Sequence, residues 1–348
     1  MSPISSRRSE AGGHAARTRC APRVRRGPAL LVTLWLAGCA AGPPPLIEHL
    51  PDGAVAASRL QHEIGGVPFH PQAEYQCGPA ALATVLGWSG VETTADALVP
   101  RVYLPARRGS LQPELRATAR AFDRLAYEPE PRLAALLAEL DAGHPVLVLQ
   151  KLGFGPWPGW HYAVVVGYDA VDESFLLRSG TEARLRLSSR RFLTSWIRGG
   201  SWALVVLPPG TLPASADPVR YQRAAADLEA TGTPAAARAA WKAGVVRWPD
   251  TPAMWFGLGN AAYRQNDAAA ALEAFRRAVT VAPDHAASHY NLARIYLEHG
   301  CLDQTQHHLA AAEIGLDALP GLVPLVADAH AALRRERAAS GAPVCALP

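Results

Sequence analysis

The pattern of hydrophobic and polar positions divides the 348-residue chain into three regions that follow a basic N-terminus. Residues 64–208 mix helical spacing of apolar residues with strand-like runs, which predicts an α+β domain. Residues 209–217 are rich in Pro, Gly, Ser and Ala and predict a linker. Residues 218–340 are Ala-rich with helical spacing throughout, so an all-α region completes a multidomain chain.

The α+β region carries its strand signals in its second half. Apolar runs over residues 159–169 and 174–179 are separated by a short polar turn, which predicts a β-hairpin. We expect this hairpin to belong to an antiparallel sheet built from residues 145–208. Helical spacing predicts helices near residues 112–124 and 131–142.

The all-α region contains an internal repeat with a period of 34 residues, because Pro249-Asp250 recurs as Pro283-Asp284. Alignment on these prolines gives units at about 218–251, 252–285 and 286–319, followed by a cap helix over 320–338. The second unit has small and large residues where tetratricopeptide repeats have them: Trp255, Leu258, Gly259, Ala271, Phe275, Ala278 and Pro283. The resemblance implies a surface that recruits a protein partner, and a generic helical bundle is the alternative.

The N-terminus has the features of a secretory signal peptide over residues 1–38. An Arg-rich start leads to an apolar stretch over residues 29–37, too short to span a bilayer stably, and then to Cys39. The sequence Leu-Ala-Gly-Cys that ends at Cys39 resembles the lipobox of bacterial lipoproteins. This implies cleavage before Cys39, lipidation of Cys39 and, since Ala40 follows, an outer-membrane anchor that faces the periplasm. Residues 39–63 would be a tether; an ordinary signal peptide with a chance cysteine is the alternative.

Charge and hydropathy narrow the set of partners. The net charge of +4 comes from residues 1–38, which hold seven Arg and one Glu and leave −2 for the rest of the chain. That balance gives no indication of nucleic-acid binding. No run of eighteen apolar residues occurs, so we expect membrane attachment through the lipid anchor only.

Candidate chemistry begins at Cys77. A Pro-rich extended stretch leads into Cys77-Gly78-Pro79, and an Ala- and Leu-rich helical pattern follows. Because proline suits the first turn of a helix, we expect Cys77 at a helix N-terminus. The helix dipole and the free amides there favour the thiolate, which is the nucleophile of a cysteine peptidase. The candidate base is His161, which opens the strand of the predicted hairpin.

These segments resemble the bacteriocin-processing peptidases that remove double-glycine leaders, a branch of the papain-like cysteine peptidases. The resemblance covers about residues 64–208 and rests on Gln72, Cys77-Gly78-Pro79 and the strand that starts at His161. It implies a papain-like fold with Cys77 as nucleophile and His161 as general base and acid. It also implies Gln72 as the oxyanion-hole donor, with Gln76 ranked second. Gln72 lies five residues before Cys77, where many relatives have six.

The third catalytic residue departs from the family, which usually has an aspartate near the end of the returning strand. If Tyr168 pairs with Ser174, then Ser179 and Thr181 share the face of His161. Asp169 lies eight residues from His161, about 26 Å away along an extended strand. We therefore expect the Ser179 hydroxyl, or a backbone carbonyl, to orient the imidazole.

Several other residues are candidates for structural or functional sites. Cys301 and Cys345 either form a disulfide or stay free, and His285 and His289 lack a third ligand, so we predict no metal and no cofactor. The Gly153–Trp160 loop either lines the cleft with its tryptophans or packs as an aromatic loop. The stretch Arg107–Ser110 predicts a solvated turn, with Ser110 as a candidate cap for the following helix.

Three functions fit this sequence. The first is a membrane-anchored cysteine peptidase that cleaves an exported peptide or protein while the repeats recruit a partner. The second is a weak or inactive papain-like domain that binds peptides. The third is a scaffold whose function lies wholly in the repeats.

Overall fold

The computed structural model describes residues 60–72, 76–153, 159–339, 345 and 347. The predicted signal peptide, Cys39 and the tether up to residue 59 lie outside the described residues. No helix in these described ranges is long and apolar enough to cross a membrane.

The first domain surrounds an antiparallel sheet. Its elements are β1 (Gln61–Glu63), α1 (Cys77–Trp88), α2 (Ala95–Val102), α3 (Gln112–Ala121), β2 (Leu125–Tyr127), α4 (Leu133–Asp141), β3 (Val146–Leu152), β4 (Gly159–Asp169), β5 (Ser174–Ser179), β6 (Glu182–Ser188), α5 (Ser189–Arg198) and β7 (Ala203–Leu207). The strand order is β2-β7-β3-β4-β5-β6, and β1 pairs with the C-terminal half of β4. This arrangement places α1, which is buried along most of its length, against β4 at the centre of the sheet.

Two short strands correct the predicted limits of the sheet. β1 lies inside the segment expected to be a tether, and β2 precedes the stretch that was expected to supply all the strands. Each strand has three residues, which is too short to show a period of two in the sequence. Both are held by tertiary pairing, β1 to β4 and β2 to β7.

The β4–β5 hairpin has the predicted pairing near His161 and a different pairing at its turn. Ser174 pairs with Asp169 rather than with Tyr168, and a register shift at Val166 then restores the expected alignment, with Val164 opposite Arg178. A β-bulge of this kind puts two residues of one strand opposite one residue of the other. Ser179 therefore lies on the strand beside the segment that carries His161.

The second domain is a stack of helical pairs that ends in a single helix. Its elements are α6 (Pro218–Thr231), α7 (Pro234–Arg247), α8 (Pro252–Tyr263), α9 (Ala268–Val281), α10 (Ala286–Glu298), α11 (Leu302–Glu313) and α12 (Val323–Ala338). The predicted small–large pattern is visible at Gly259, where a β-carbon would lie 2.5 Å from the ring of Phe275. Only glycine permits that approach. Near the end of the array the structure joins Cys301 to Cys345 through a disulfide.

The predicted linker is fixed to the first domain by one buried carboxylate. Glu139 of α4 is fully buried and accepts hydrogen bonds from the backbone N–H groups of Ala214 (3.1 Å) and Ser215 (2.8 Å) and from the Ser215 hydroxyl (2.6 Å). Within the first domain, the Glu139 carboxylate contacts Nδ1 of His144 at 2.7 Å. Buried apolar residues of the first domain and of α6–α8 belong to one continuous core, so the start of the helical array is packed against the first domain rather than loosely attached.

Replacement of Glu139 by alanine should destabilise the whole chain. The change empties a fully buried position and removes the acceptor of two backbone N–H groups and one hydroxyl, so we expect a loss of about 2–4 kcal/mol in the free energy of unfolding, measured by urea denaturation. The control is Glu130→Ala, because Glu130 is exposed and its partner Arg132 is also exposed. We expect the control to stay within about 0.5 kcal/mol of the parent. Equal effects of the two changes would contradict a structural role for the buried anchor.

Candidate active site

Cys77 is the first residue of α1, as the sequence predicts. The residue before the helix, Gln76, makes no side-chain capping hydrogen bond, and Pro79 contributes no N–H. The backbone N–H groups of Cys77 and Gly78 at this helix end interact with the Cys77 thiol, as does the backbone of Tyr162. The thiol therefore lies among peptide groups that stabilise negative charge.

Burial nevertheless dominates the acidity of this thiol. It raises the pKa of Cys77 above its ordinary value, and the three backbone groups offset that effect only in part. This is opposite to the lowered pKa that a helix N-terminus alone predicts. The resting site therefore holds a neutral thiol, which needs a base in order to become a nucleophile.

A close contact between Gly78 and Ser110 fixes the segment before α3 next to the N-terminus of α1. A β-carbon on Gly78 would lie 2.2 Å from the Ser110 hydroxyl oxygen, so only glycine fits at this position. The hydroxyl of Tyr162 donates to the carbonyl oxygen of Ser110 at 3.3 Å, and the Tyr162 ring packs edge-on against Trp202. The helix N-terminus, β4 and the segment before α3 are thus held together at one point.

Ser110 does not cap α3, contrary to the prediction. The helix begins after Leu111 with no side-chain cap, and the Ser110 hydroxyl is buried without a hydrogen-bond partner among the described residues. Its position is determined instead by the contact with Gly78, which lies more than thirty residues away in sequence. Local spacing could not show that contact.

His161 lies at the start of β4 and is oriented by Ser179. Its Nε2 is 2.8 Å from the hydroxyl oxygen of Ser179, a buried residue at the end of β5. Because Nε2 faces Ser179, Nδ1 is the ring nitrogen left for proton exchange with a nucleophile. Burial lowers the pKa of His161, so the resting imidazole is neutral.

Asp169 lies at the far end of the hairpin from His161, as the sequence predicts. Asp169 accepts hydrogen bonds from the backbone N–H groups of Val171 (3.0 Å) and Asp172 (2.9 Å) and from Arg186 (3.2 Å), so it closes the turn at the far end of the hairpin. Ser179 is thus the described side chain that the structure pairs with His161.

Gln72 lies beside the same strand end. Its side-chain amide is 3.5 Å from the carbonyl oxygen of Tyr162, and its backbone N–H donates to Gly180 at 3.0 Å. Gln76, which was ranked second, accepts the first backbone hydrogen bond of α1 through its carbonyl and does not line the cleft. The geometry therefore favours Gln72 as the amide donor of the site.

Cys77, His161 and Gln72 line one cleft of about 820 Å³. No hydrogen bond joins the Cys77 thiol to His161 in the described part of the chain, so the two groups share the cleft without a direct contact in this state. Trp160 is also in the lining, as one of the two alternatives for its loop predicts, whereas Trp157 lies outside the described residues. The remaining lining residues are Arg107, Arg108, Gly109, Ser110, Leu111, Gln112, Leu149, Gly159 and Tyr162.

Two protein-family models match parts of the chain. Residues 64–200 match the model of the Peptidase_C39 like family, and residues 221–281 and 258–304 match the Tetratricopeptide repeat model. The first domain is C39 peptidase-like. These matches confirm the predicted order of a sheet-containing peptidase-like domain followed by a helical repeat array. No curated protein sequence matches the chain.

Three solved structures of peptidases are similar to the first domain. A C39-like peptidase from Bacillus anthracis shares 17% identity (TM-score 0.36; 42% of this chain and 97% of that one). The peptidase domain of Streptococcus ComA, a bi-functional ABC transporter, shares 19% (TM-score 0.35; 41% and 98%). A double glycine motif protease from an AMS/PCAT transporter, solved with its leader peptide, shares 16% (TM-score 0.32; 42% and 93%).

Changing Ser179 to aspartate should raise the pKa of His161. A carboxylate at hydrogen-bond distance stabilises the imidazolium, so we expect an increase of at least about 1 unit in an NMR titration of the His161 ring. Ser179→Ala should not raise it, since alanine supplies no acceptor. The control is Ser188→Asp, which adds the same charge at an exposed position paired with the other end of β5. A His161 pKa that responds equally to both aspartates would contradict the contact.

Proposed function

We propose that the chain is a lipid-anchored cysteine peptidase of the cell envelope. The observation that supports it best is the shared cleft, in which Cys77 lies at an uncapped helix N-terminus and His161 is oriented by Ser179. The match to the C39-like family model over residues 64–200 supports the same chemistry.

The proposed reaction is a two-step acyl transfer. The Cys77 thiol gives its proton to Nδ1 of His161 as sulfur attacks the substrate carbonyl, and the oxyanion accepts hydrogen bonds from the Cys77 N–H and the Gln72 amide. The carbon–nitrogen bond then breaks, the leaving amine takes the proton from His161, and a thioester remains. Water, deprotonated by the same imidazole, hydrolyses the thioester and restores the thiol.

The hydroxyl partner of His161, Ser179, should limit the rate of turnover. A hydroxyl orients the ring and accepts the Nε2 proton in a hydrogen bond, but it stabilises the imidazolium less than a carboxylate does. Because thiol and imidazole are both neutral at rest, proton transfer takes place when substrate has filled the cleft. We therefore expect slow turnover compared with a peptidase that has an aspartate at this position.

The anchor and the repeats complete the proposal. The lipobox-like sequence at Cys39 would attach the protein to the outer membrane on the periplasmic side. The proposed function requires neither nucleic acid nor a cofactor.

The repeats would recruit a protein partner in a cavity of about 320 Å³ between α8 and α10. Its polar lining includes Asn260 and Asn291, which hydrogen-bond to each other at 2.9 Å, together with Arg294, Arg264 and Glu229, whose backbone carbonyl accepts from Arg264 at 2.6 Å. Such side chains match the carbonyl and carboxylate groups of a peptide.

A second candidate is a peptide-binding module without turnover. The raised pKa of Cys77 and the neutral partner of His161 favour it, because both leave the nucleophile unactivated at rest. The two candidates differ in whether His161 controls the reactivity of Cys77.

The test is alkylation of Cys77 by iodoacetamide in the full-length chain, followed from pH 5 to pH 9 by mass spectrometry of the Cys77 peptide. General-base assistance predicts that His161→Ala slows the reaction at pH 7 at least about tenfold. His330→Ala, a change on α12 in the repeat domain, should leave the rate unchanged. A thiol that titrates at or above the free value of about 8.5 and ignores both substitutions would support the binding module instead.

A further inference from the structure

Three histidines of the last repeat meet where α10 begins and have no part in the proposed chemistry. His285 is the residue before α10, His289 lies in its first turn, and His308 lies on α11. We call these three side chains the histidine corner. It lies at the open end of the α10–α11 pair, away from the turn that the Cys301–Cys345 disulfide ties.

The hydrogen bonds of the histidine corner require neutral His285 and His289 rings. Nδ1 of His285 accepts the backbone N–H of Ser288 at 3.2 Å and so caps α10. Nε2 of His289 lies 2.9 Å from the carbonyl oxygen of Pro283, which can only accept, so Nε2 carries the ring proton. Nδ1 of His289 then accepts from Nδ1 of His308, 3.0 Å away. A second proton on either His285 or His289 removes one of these bonds.

The surroundings of His308 also oppose a positive charge. Arg276 of α9 donates to the Tyr296 hydroxyl at 2.7 Å, and the Tyr296 ring stacks on His308. His307 is next to His308 on α11, with the ring centres 5.0 Å apart. Burial, His289, His307 and Arg276 together lower the pKa of His308 to about 4, and no carboxylate is among these causes.

His285 is disfavoured as a cation for related reasons. Burial lowers its pKa, as does His289, and the N-terminus of α10 carries the positive end of the helix dipole. The carboxylate of Asp284 raises the pKa of His285 but does not outweigh burial. From α8, the group against the His285 ring is the apolar ring of Phe256, at 5.3 Å between ring centres.

The two carboxylates of α11 face α12 rather than the histidine corner. Glu313 pairs with His330 at 3.0 Å, and Asp303 pairs with Arg337 at 3.1 Å. A proton therefore binds His308 more weakly in the folded chain than in an unfolded one, where a histidine has a pKa of about 6.5. The stability that this difference contributes is complete above about pH 6.5 and is lost as the pH falls toward 4.

The helix that begins at the histidine corner also forms one wall of the repeat cavity. Asn291, Arg294 and Ile295 line that cavity from α10, and Asn291 donates to Asn260 of α8 at 2.9 Å. These three residues follow His289 within two turns of the same helix. Loosening of the first half of α10 therefore changes the wall of the cavity.

We propose that His285, His289 and His308 form an acid-sensitive switch in the last repeat. Acidification charges the histidine corner, the open ends of α10 and α11 separate, and the cavity wall on α10 loses its fixed position. The inference rests on the proposed function only in taking this cavity as the site of a protein partner. A partner held there would be released in acid and retained near neutral pH.

Hydrogen exchange of the full-length chain, followed by mass spectrometry at pH 7.5 and pH 5, tests the switch without a partner. After correction for the intrinsic pH dependence of exchange, we expect the protection of the α10 and α11 amides to fall at least about tenfold at pH 5. The internal reference is α6 and α7, which should keep their protection within about threefold. No fall in α10 and α11, or an equal fall in the reference helices, would overturn the proposal.

Two substitutions of His308 remove its charge in different ways. His308→Asn places an amide N–H near the position of Nδ1, and His308→Phe keeps an aromatic ring beside Tyr296. Most of the fall in protection should disappear in both variants. The control is His330→Gln on α12, which removes another histidine of the array and should keep the response of the parent. A fall as large as that of the parent in both His308 variants would contradict the switch. Because exchange needs neither a partner nor catalysis, failure of partner recruitment would leave this result unaffected.

Discussion

The contact between the N-terminus of α1 and the start of β4 determines most of the proposed site. Gly78 lets the helix end approach Ser110 closely, and Tyr162 joins that segment to the strand through its hydroxyl. Cys77 precedes Gly78 and His161 precedes Tyr162, so the same contact brings the thiol and the imidazole into one cleft. A β-carbon at residue 78 would force this packing apart, and with it the Arg107–Ser110 turn.

The two titratable groups beside this contact, the Cys77 thiol and the His161 imidazole, are both neutral in the resting site. The helix end and the Tyr162 backbone supply partial positive charge to the thiol, but burial outweighs them and raises the pKa of Cys77. His161 is likewise neutral and is oriented by a hydroxyl rather than a carboxylate. The proposed nucleophile and its proposed base therefore share a cleft without a carboxylate that would stabilise their charged forms. Glu139 holds the linker, and a continuous core that reaches Ala261 fixes the first helices of the array to the same domain.

Much of this arrangement follows from local sequence, and the rest depends on contacts between distant segments. Pro79 and the Ala-rich run that follows it indicate a helix that starts at Cys77, and the apolar run that follows His161 places it on a strand. The position of Ser179 was predicted from a pairing one residue out of register at the turn, and the bulge at Val166 compensates for that error. The anchored linker could not be predicted, because Glu139 lies about 75 residues before Ser215 in the chain. The position of Arg107 and Arg108 at the cleft likewise depends on the contact of Ser110 with Gly78.

The central claim is that Cys77 cleaves peptide bonds, and peptide products measure this directly. A peptide library prepared from a bacterial envelope proteome would be incubated with the full-length chain, and newly formed N-termini would be identified by mass spectrometry. We expect new N-termini with the parent chain and none with Cys77→Ala. If both proteins give the same termini, or if the parent gives none while peptides still protect Cys77 from alkylation, the chain is a binding module and not a peptidase.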